Sequence, residues 1–278
     1  MSRRIVILLI AVLAFCECGG ERSARRVATA ASTKRVVSLA PSVTEIVYAL
    51  GAGRSLVATD DYSDFPLAAK QLPKVGGVQP NLEKIVALKP DLVISTIIGS
   101  SPNLAKALSA ASIPLVSVRH DRVADIRVAI TRIGSALGVA DTARIADDVE
   151  RRLAAQQRTR KHIPRVLIAV WTDPIFVGGR DTFADDLLQL TGAENAVPPS
   201  VSGWPQYSLE SFVASPPDIL IYPDHSVTRA QIDALLERTG AKCEAIAIDE
   251  NRFTRLGPRT PEAAALLNEI FDRWERSH

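Results

Sequence analysis

Residues 82–93 read LEKIVALKPDLV, and residues 209–220 read LESFVASPPDIL. The shared frame is Leu-Glu, two residues, Val-Ala, two residues, Pro-Asp, and then apolar residues of β type. Each copy spells a short helix, a turn marked by proline and a buried strand. Asn81 and Ser208 stand where a side-chain oxygen caps the first turn, and proline cannot continue the helix that follows. Two further echoes keep the same order: Arg35-Val36-Val37 with Arg165-Val166-Leu167, and Leu50-Gly51-Ala52 with Thr191-Gly192-Ala193. Three matches in register, spaced by roughly 130 residues, argue for two lobes of related design.

Outward from these motifs, strand-type runs at 35–39, 56–58 and 115–118 alternate with helical patterns. The second half repeats the alternation, with strands at 166–170, 218–222 and 245–248 and helices near 183–190, 228–236 and 262–274. This is the α/β class: two Rossmann-like lobes with mainly parallel central sheets. Ser42 and Glu45, three residues apart, read as a capping box for a helix that Gly51 and Gly53 end.

Between the lobes, Ile126, Ala129, Ile130, Ile133 and Leu137 form one apolar stripe. Ala143, Ala146, Val149, Leu153 and Ala154 form another after a break at Gly138. The pattern predicts a long backbone helix over residues 142–161, about 30 Å in length, that joins the lobes and limits closure to a modest rocking. The basic run Arg158, Arg160, Lys161 and His162 then falls at the helix end, where the dipole and solvent account for it. The expected organisation is an N-terminal lobe at 34–120, a helical region with the inter-lobe helix at 121–163, and a C-terminal lobe at 164–278.

The first 20 residues differ in kind. Arg3 and Arg4 precede an eleven-residue apolar run from Ile5 to Phe15, which reads as an export signal rather than a membrane span. Cys16, directly after the run, suggests a lipid attachment site as in bacterial lipoproteins, with cleavage before it. Ordinary secretion with cleavage near Ala28-Thr29-Ala30, or a retained anchor, also fits. Residues 21–33 read as a flexible tether. Only Cys243 remains in the folded part, so no internal disulfide is expected, and its place beside a strand-like run makes it a small packing side chain.

The composition excludes several classes. A formal net charge of +2 over 278 residues leaves no basic excess for nucleic acid. None of the four histidines, His120, His162, His225 and His278, belongs to an HExxH motif or pairs at ligand spacing with another His or Cys, so no metal site is expected. No GxSxG elbow, Walker loop or complete dinucleotide fingerprint is present, and Gly51-Ala52-Gly53 reads as a helix stop. An enzyme would need a nucleophile with a base in reach, and no such pair stands out.

What the chain offers instead is aromatic residues in loops. Tyr62 lies in DDYSDFP and Trp204 in SGWPQYS; Trp171 follows one strand, and Phe253 another. Such rings are flat walls for a large planar or apolar solute, or plugs at a sheet end. Arg252, Arg255 and Arg259 cluster in NRFTRLGPR, where guanidinium groups can grip carboxylates or amides; one of Asp60, Asp61 and Asp64 can pair with them when the lobes meet. Glu83 and Glu210 hold equivalent places in the two motifs. They serve either as favourable first-turn charges or as a pair of anionic pegs for a two-fold symmetric partner.

SLAPSVTEIVYALGAG at 38–53, YSDFP at 62–66, NLEKIVALKPDLVI at 81–94 and SGWPQYSLE at 202–210 resemble the bacterial solute-binding proteins for vitamin B12 and iron-siderophore uptake. The likeness runs from about residue 35 to 274 and is greatest to the cobalamin-binding members. It implies a non-enzymatic, extracytoplasmic component of an ABC importer, with no cofactor of its own, that delivers cobalamin or another corrinoid to a dimeric permease and its ATPase subunits. It further implies that Tyr62 and Trp204 line the corrinoid cleft, that Phe253 and Arg255 border it, and that Glu83 and Glu210 dock on permease arginines. Val78 stands where the vitamin B12 binders carry a Trp. An iron-siderophore or haem binder of the same fold is the alternative, which would place several Arg or an iron-ligating Tyr or His at the centre.

Overall fold

The computed structural model describes residues 34–278; Cys16 and the expected export and tether segments lie outside them. The first half runs β1 (Val36–Ser38), α1 (Pro41–Ala49), β2 (Leu56–Thr59), α2 (Leu67–Lys70), α3 (Leu82–Ala87), β3 (Leu92–Thr96), α4 (Pro102–Ala110) and β4 (Leu115–Val118). Its four strands form a parallel sheet in the order β2-β1-β3-β4. Two helices follow, α5 (Asp125–Leu137) and α6 (Thr142–Ala154). The second half comprises β5 (Arg165–Thr172), β6 (Ile175–Val177), α7 (Phe183–Leu190), β7 (Glu194–Asn195), α8 (Leu209–Ala214), β8 (Ile219–Pro223), α9 (Arg229–Thr239), β9 (Glu244–Ile248), α10 (Glu250–Phe253) and α11 (Thr260–Glu275). Its sheet has the order β6-β5-β8-β9, with β7 also on β5; β6 alone is antiparallel.

The echoed motifs fold alike down to single hydrogen bonds. Asn81 accepts from the Lys84 N–H and Ser208 from the Ser211 N–H, capping two six-residue helices. Asp91 Oδ2 accepts from the Arg35 N–H at 2.7 Å, and Asp218 Oδ2 from the Arg165 N–H at 2.7 Å. Each aspartate therefore ties the start of its own strand to the start of the neighbouring one, Val36 beside Leu92 and Val166 beside Ile219. Gly51 and Gly192 end helices α1 and α7 at φ +74° and +76°, a backbone state glycine adopts without strain.

Three expectations need correction. The α1 helix has no capping box: Pro41 occupies its first turn, Ala40 is the N-cap without a side-chain bond, and Ser42 and Glu45 are both buried inside the helix. Proline's fixed φ suits that position and starts the helix earlier than Ser42 would. The break at Gly138 is present, but α6 stops at Ala154, about 20 Å from its start rather than 30 Å. The chain leaves the helix there to bond with the second half: the Arg158 N–H donates to Leu190 O, and Asn268 Nδ2 donates to Gln156 O. Arg160 is accordingly no solvated helix end. It is buried over the Phe271 ring and bonds to Asp272 (2.6 Å), Asn268 Oδ1 and Thr191 O.

One apolar core joins the inner faces of both sheets through α1, α5, α6, α7 and α11, with Ile46, Ile133, Val149, Leu187 and Phe271 among its buried residues. Smaller cores back each sheet on its outer side, around Ile85 and Leu108 in the first half and around Phe212 and Tyr222 in the second.

Candidate functional site

Parallel strands all end on one side of their sheet, and in open α/β sheets that is where solutes bind. Both sheets here end on the same cavity, of about 1200 Å³. Ser42 reaches it from behind β1, Tyr62 from behind β2, Thr96 from the end of β3 and His120 from behind β4. Trp171 comes from the end of β5, His225 from behind β8, and Glu250 and Asn251 from behind β9.

The Tyr62 loop rests on a chain of buried polar groups. Asp60 accepts from the Tyr62 N–H (3.0 Å) and from the Ser63 hydroxyl, which in turn meets the Thr44 hydroxyl (2.8 Å); that hydroxyl donates to Ser38 Oγ at 2.8 Å. Lys74 Nζ donates to Ser63 O and Thr59 Oγ1. Burial pushes the Asp60 carboxyl above and the Lys74 ammonium below their ordinary pKa values. Above this anchorage the Tyr62 ring is 57% exposed and lies against Gly77, where an added Cβ would be 2.9 Å from the ring. Trp171, 47% exposed, is oriented by its own Nε1–H, which donates to Asp173 O at 3.0 Å.

The other candidates are placed differently. Trp204 is not among the lining residues: its ring packs on Phe183, centroids 5.3 Å apart, and against Gly178. Phe253 is only 2% exposed and packs on Phe183 as well, 5.7 Å away, so it belongs to the core and not to the cleft. Arg255 lines the cavity, but its guanidinium donates to Asp64, Tyr62 O and Asn251. Burial alone would raise the Asp64 carboxyl; Arg255 more than offsets this and holds it below the usual range. Val78 stands on the wall, 86% exposed. Glu83 and Glu210 sit in the exposed first turns of α3 and α8.

Two histidines and one glutamate were missed in the sequence. The rule that strand ends line the site would have singled out His120 and His225, each two residues past the end of its strand, β4 or β8. Burial lowers the His120 pKa, and its Nδ1 has no hydrogen-bond partner. His225 lines the cavity with its Nδ1 3.1 Å from Asp224 Oδ1. Glu45, read as half of a cap, instead faces Arg255 and Arg259 across the two halves. Among the described residues no cluster of His, Cys, Asp or Glu could hold a metal ion.

Residues 36–260 match the family described as periplasmic binding protein. The chain belongs to this family. Its members act outside the cytoplasm. A protein of Pectobacterium atrosepticum named "Vitamin B12-binding protein" is 33% identical over 240 residues, covering 83% of this chain and 86% of the relative. A Bacillus subtilis protein named "Uncharacterized ABC transporter substrate-binding lipoprotein YvrC" is 32% identical over 249 residues, covering 85% of this chain and 79% of that one. Among solved structures, the apo periplasmic haem-binding protein RhuT from Roseiflexus sp. RS-1 superposes with a TM-score of 0.79 at 30% identity, covering 86% of this chain and 97% of that one. These relatives are solute-binding proteins, and the chain is a solute-binding component of the ABC-importer type.

Proposed function

We propose that the cavity captures cobalamin or a related corrinoid and releases it chemically unchanged to a dimeric permease driven by ATPase subunits. The observation that carries this reading is the size and charge of the cavity. At about 1200 Å³ it exceeds the range of roughly 300–1,000 Å³ typical of drug-sized ligands and suits a substituted macrocycle. Two of its cations are engaged by the protein itself: Arg255 by Asp64, and Lys74 by Thr59 and Ser63. Lys70 remains, against Asp61 and Glu250. Such a wall offers little to a multiply anionic solute and suits one whose periphery is amide, with Tyr62 and Trp171 as flat apolar contacts. The vitamin B12 binder among the relatives supports the same choice.

A haem-type solute is the second reading, favoured by the imidazoles of His120 and His225 on the cavity wall and by the likeness to RhuT. Calorimetric titration of the purified protein with cyanocobalamin, cobinamide, a ferric siderophore and haem separates the two. Tight binding of a corrinoid with weaker haem binding is expected. Haem binding with no heat from either corrinoid would overturn the first reading.

We further propose that Glu83 and Glu210 dock on the two permease subunits, that residues 1–20 direct export, and that Cys16 carries a lipid anchor at the outer face of the envelope. The lipoprotein among the relatives supports the last point. Mass spectrometry of the exported protein tests it: a chain starting near Ala31 without lipid would exclude the anchor.

A further inference from the structure

Two guanidinium groups from the second half cross into the first. Arg259 grips the Glu45 carboxylate with two nitrogens, Nε to Oε2 at 2.8 Å and Nη2 to Oε1 at 2.5 Å. Arg255 Nη1 donates to Asp64 Oδ1 at 2.5 Å and reaches Glu45 Oε1 at 3.4 Å; its Nη2 donates to Tyr62 O at 3.1 Å and to Asn251 Oδ1. Glu45 is buried between them, and neither Glu45 nor Arg259 lines the cavity.

This arrangement grips the Tyr62 loop from both sides. From its own half, Asp60 holds the Tyr62 N–H; from the opposite half, Arg255 holds the Tyr62 carbonyl and the Asp64 carboxylate. The position of the ring on the cavity wall is therefore a function of how the two halves meet. Arg255 is also close to saturated, since both Nη atoms already donate to protein acceptors. A guanidinium so occupied orients its neighbours and has little left to offer a solute.

We infer that Glu45, Arg255 and Arg259 are positioning residues for solute binding: their ion cluster fixes the halves against each other and, through Asp64 and the Tyr62 carbonyl, sets the Tyr62 ring where the solute meets it. The inference rests on the cavity being the solute site. Removing one member of a buried ion cluster leaves a partner charge uncompensated and can unfold a protein, whereas replacing both members with apolar residues of similar volume is often tolerated. The test accordingly uses Arg259→Met and the double variant Glu45→Leu/Arg259→Met, each in the native background and with Tyr62→Ala.

Cyanocobalamin affinity, by calorimetry, should fall roughly threefold to thirtyfold in the double variant. The same pair of changes should have no further effect once Tyr62 is Ala. An equal loss in both backgrounds would mean that the cluster acts on the cavity as a whole and not through the ring, and would overturn the inference. A second arm needs no solute: fluorotyrosine introduced at position 62 should report a shifted ¹⁹F resonance in ligand-free protein when the cluster is removed. An unmoved resonance overturns the inference as well. If the native protein fails to bind cyanocobalamin, the corrinoid reading fails, and the ¹⁹F arm still decides the inference.

Discussion

Gly77→Ala tests the cavity wall without touching any residue that contacts solute by charge or hydrogen bond. An ideal Cβ at Gly77 would lie 2.9 Å from both Cε2 and the hydroxyl oxygen of Tyr62, and 3.1 Å from Cζ. Ordinary contacts between such atoms run about 3.5–4.0 Å, so the ring must retreat by roughly 0.5–1 Å. It can do so, because most of it is exposed and its far end is free to swing. The fold should therefore tolerate the change within ~0.5 kcal/mol, as for other surface substitutions. The solute should not. A displaced aromatic wall forfeits up to the ~0.5–1.5 kcal/mol of an aromatic contact, which is roughly twofold to twelvefold in affinity. Calorimetry with cyanocobalamin measures the loss, and thermal unfolding checks the fold. Tyr62→Ala supplies the control, since Gly77→Ala should add nothing once the ring is gone. Undiminished affinity in Gly77→Ala beside a clear loss in Tyr62→Ala would show that the ring does not need its place over Gly77, and the reasoning would fail.

Reversing both docking candidates, Glu83→Lys with Glu210→Lys, should leave solute affinity unchanged and abolish uptake in cells; normal uptake by the double variant would refute their role. Asp91→Ala and Asp218→Ala should each cost about 1 kcal/mol in denaturant unfolding, because each deprives one backbone N–H of a charged acceptor at the same point of the echoed motif; a large difference between them would break the equivalence. Burial pushes the Cys243 thiol up to about 11. At pH 8, alkylation read by peptide-resolved mass spectrometry should therefore run roughly a hundredfold slower than for a free thiol, and should accelerate as pH rises towards that value.

The elements that could be read from the sequence are those whose cause is local. Asn81 and Ser208 cap their helices because an oxygen at that position meets a free N–H three residues on, and Pro90 and Pro216 stop the helices for steric reasons that hold in any fold. The strands that follow are buried, and their composition says so. Loop aromatics carry no such period. Trp171 closes one strand and Phe253 comes after another, yet one faces the cavity and the other packs on Phe183, and only the tertiary fold decides which. Glu45 shows the converse difficulty. Its spacing from Ser42 matched a cap, while its true partners, Arg255 and Arg259, lie more than two hundred residues away in sequence.

The apolar core that runs without interruption from Val36 through α5 and α6 to Phe271 bears on how the molecule comes apart. Halves with separate interiors can melt in turn, and a calorimeter then resolves two heat peaks. Here the two sheets share one interior, so loosening either half exposes the inner surface of the other. The cooperative unit is the whole of the described chain, and heating should give a single sharp transition with no half-melted species to trap.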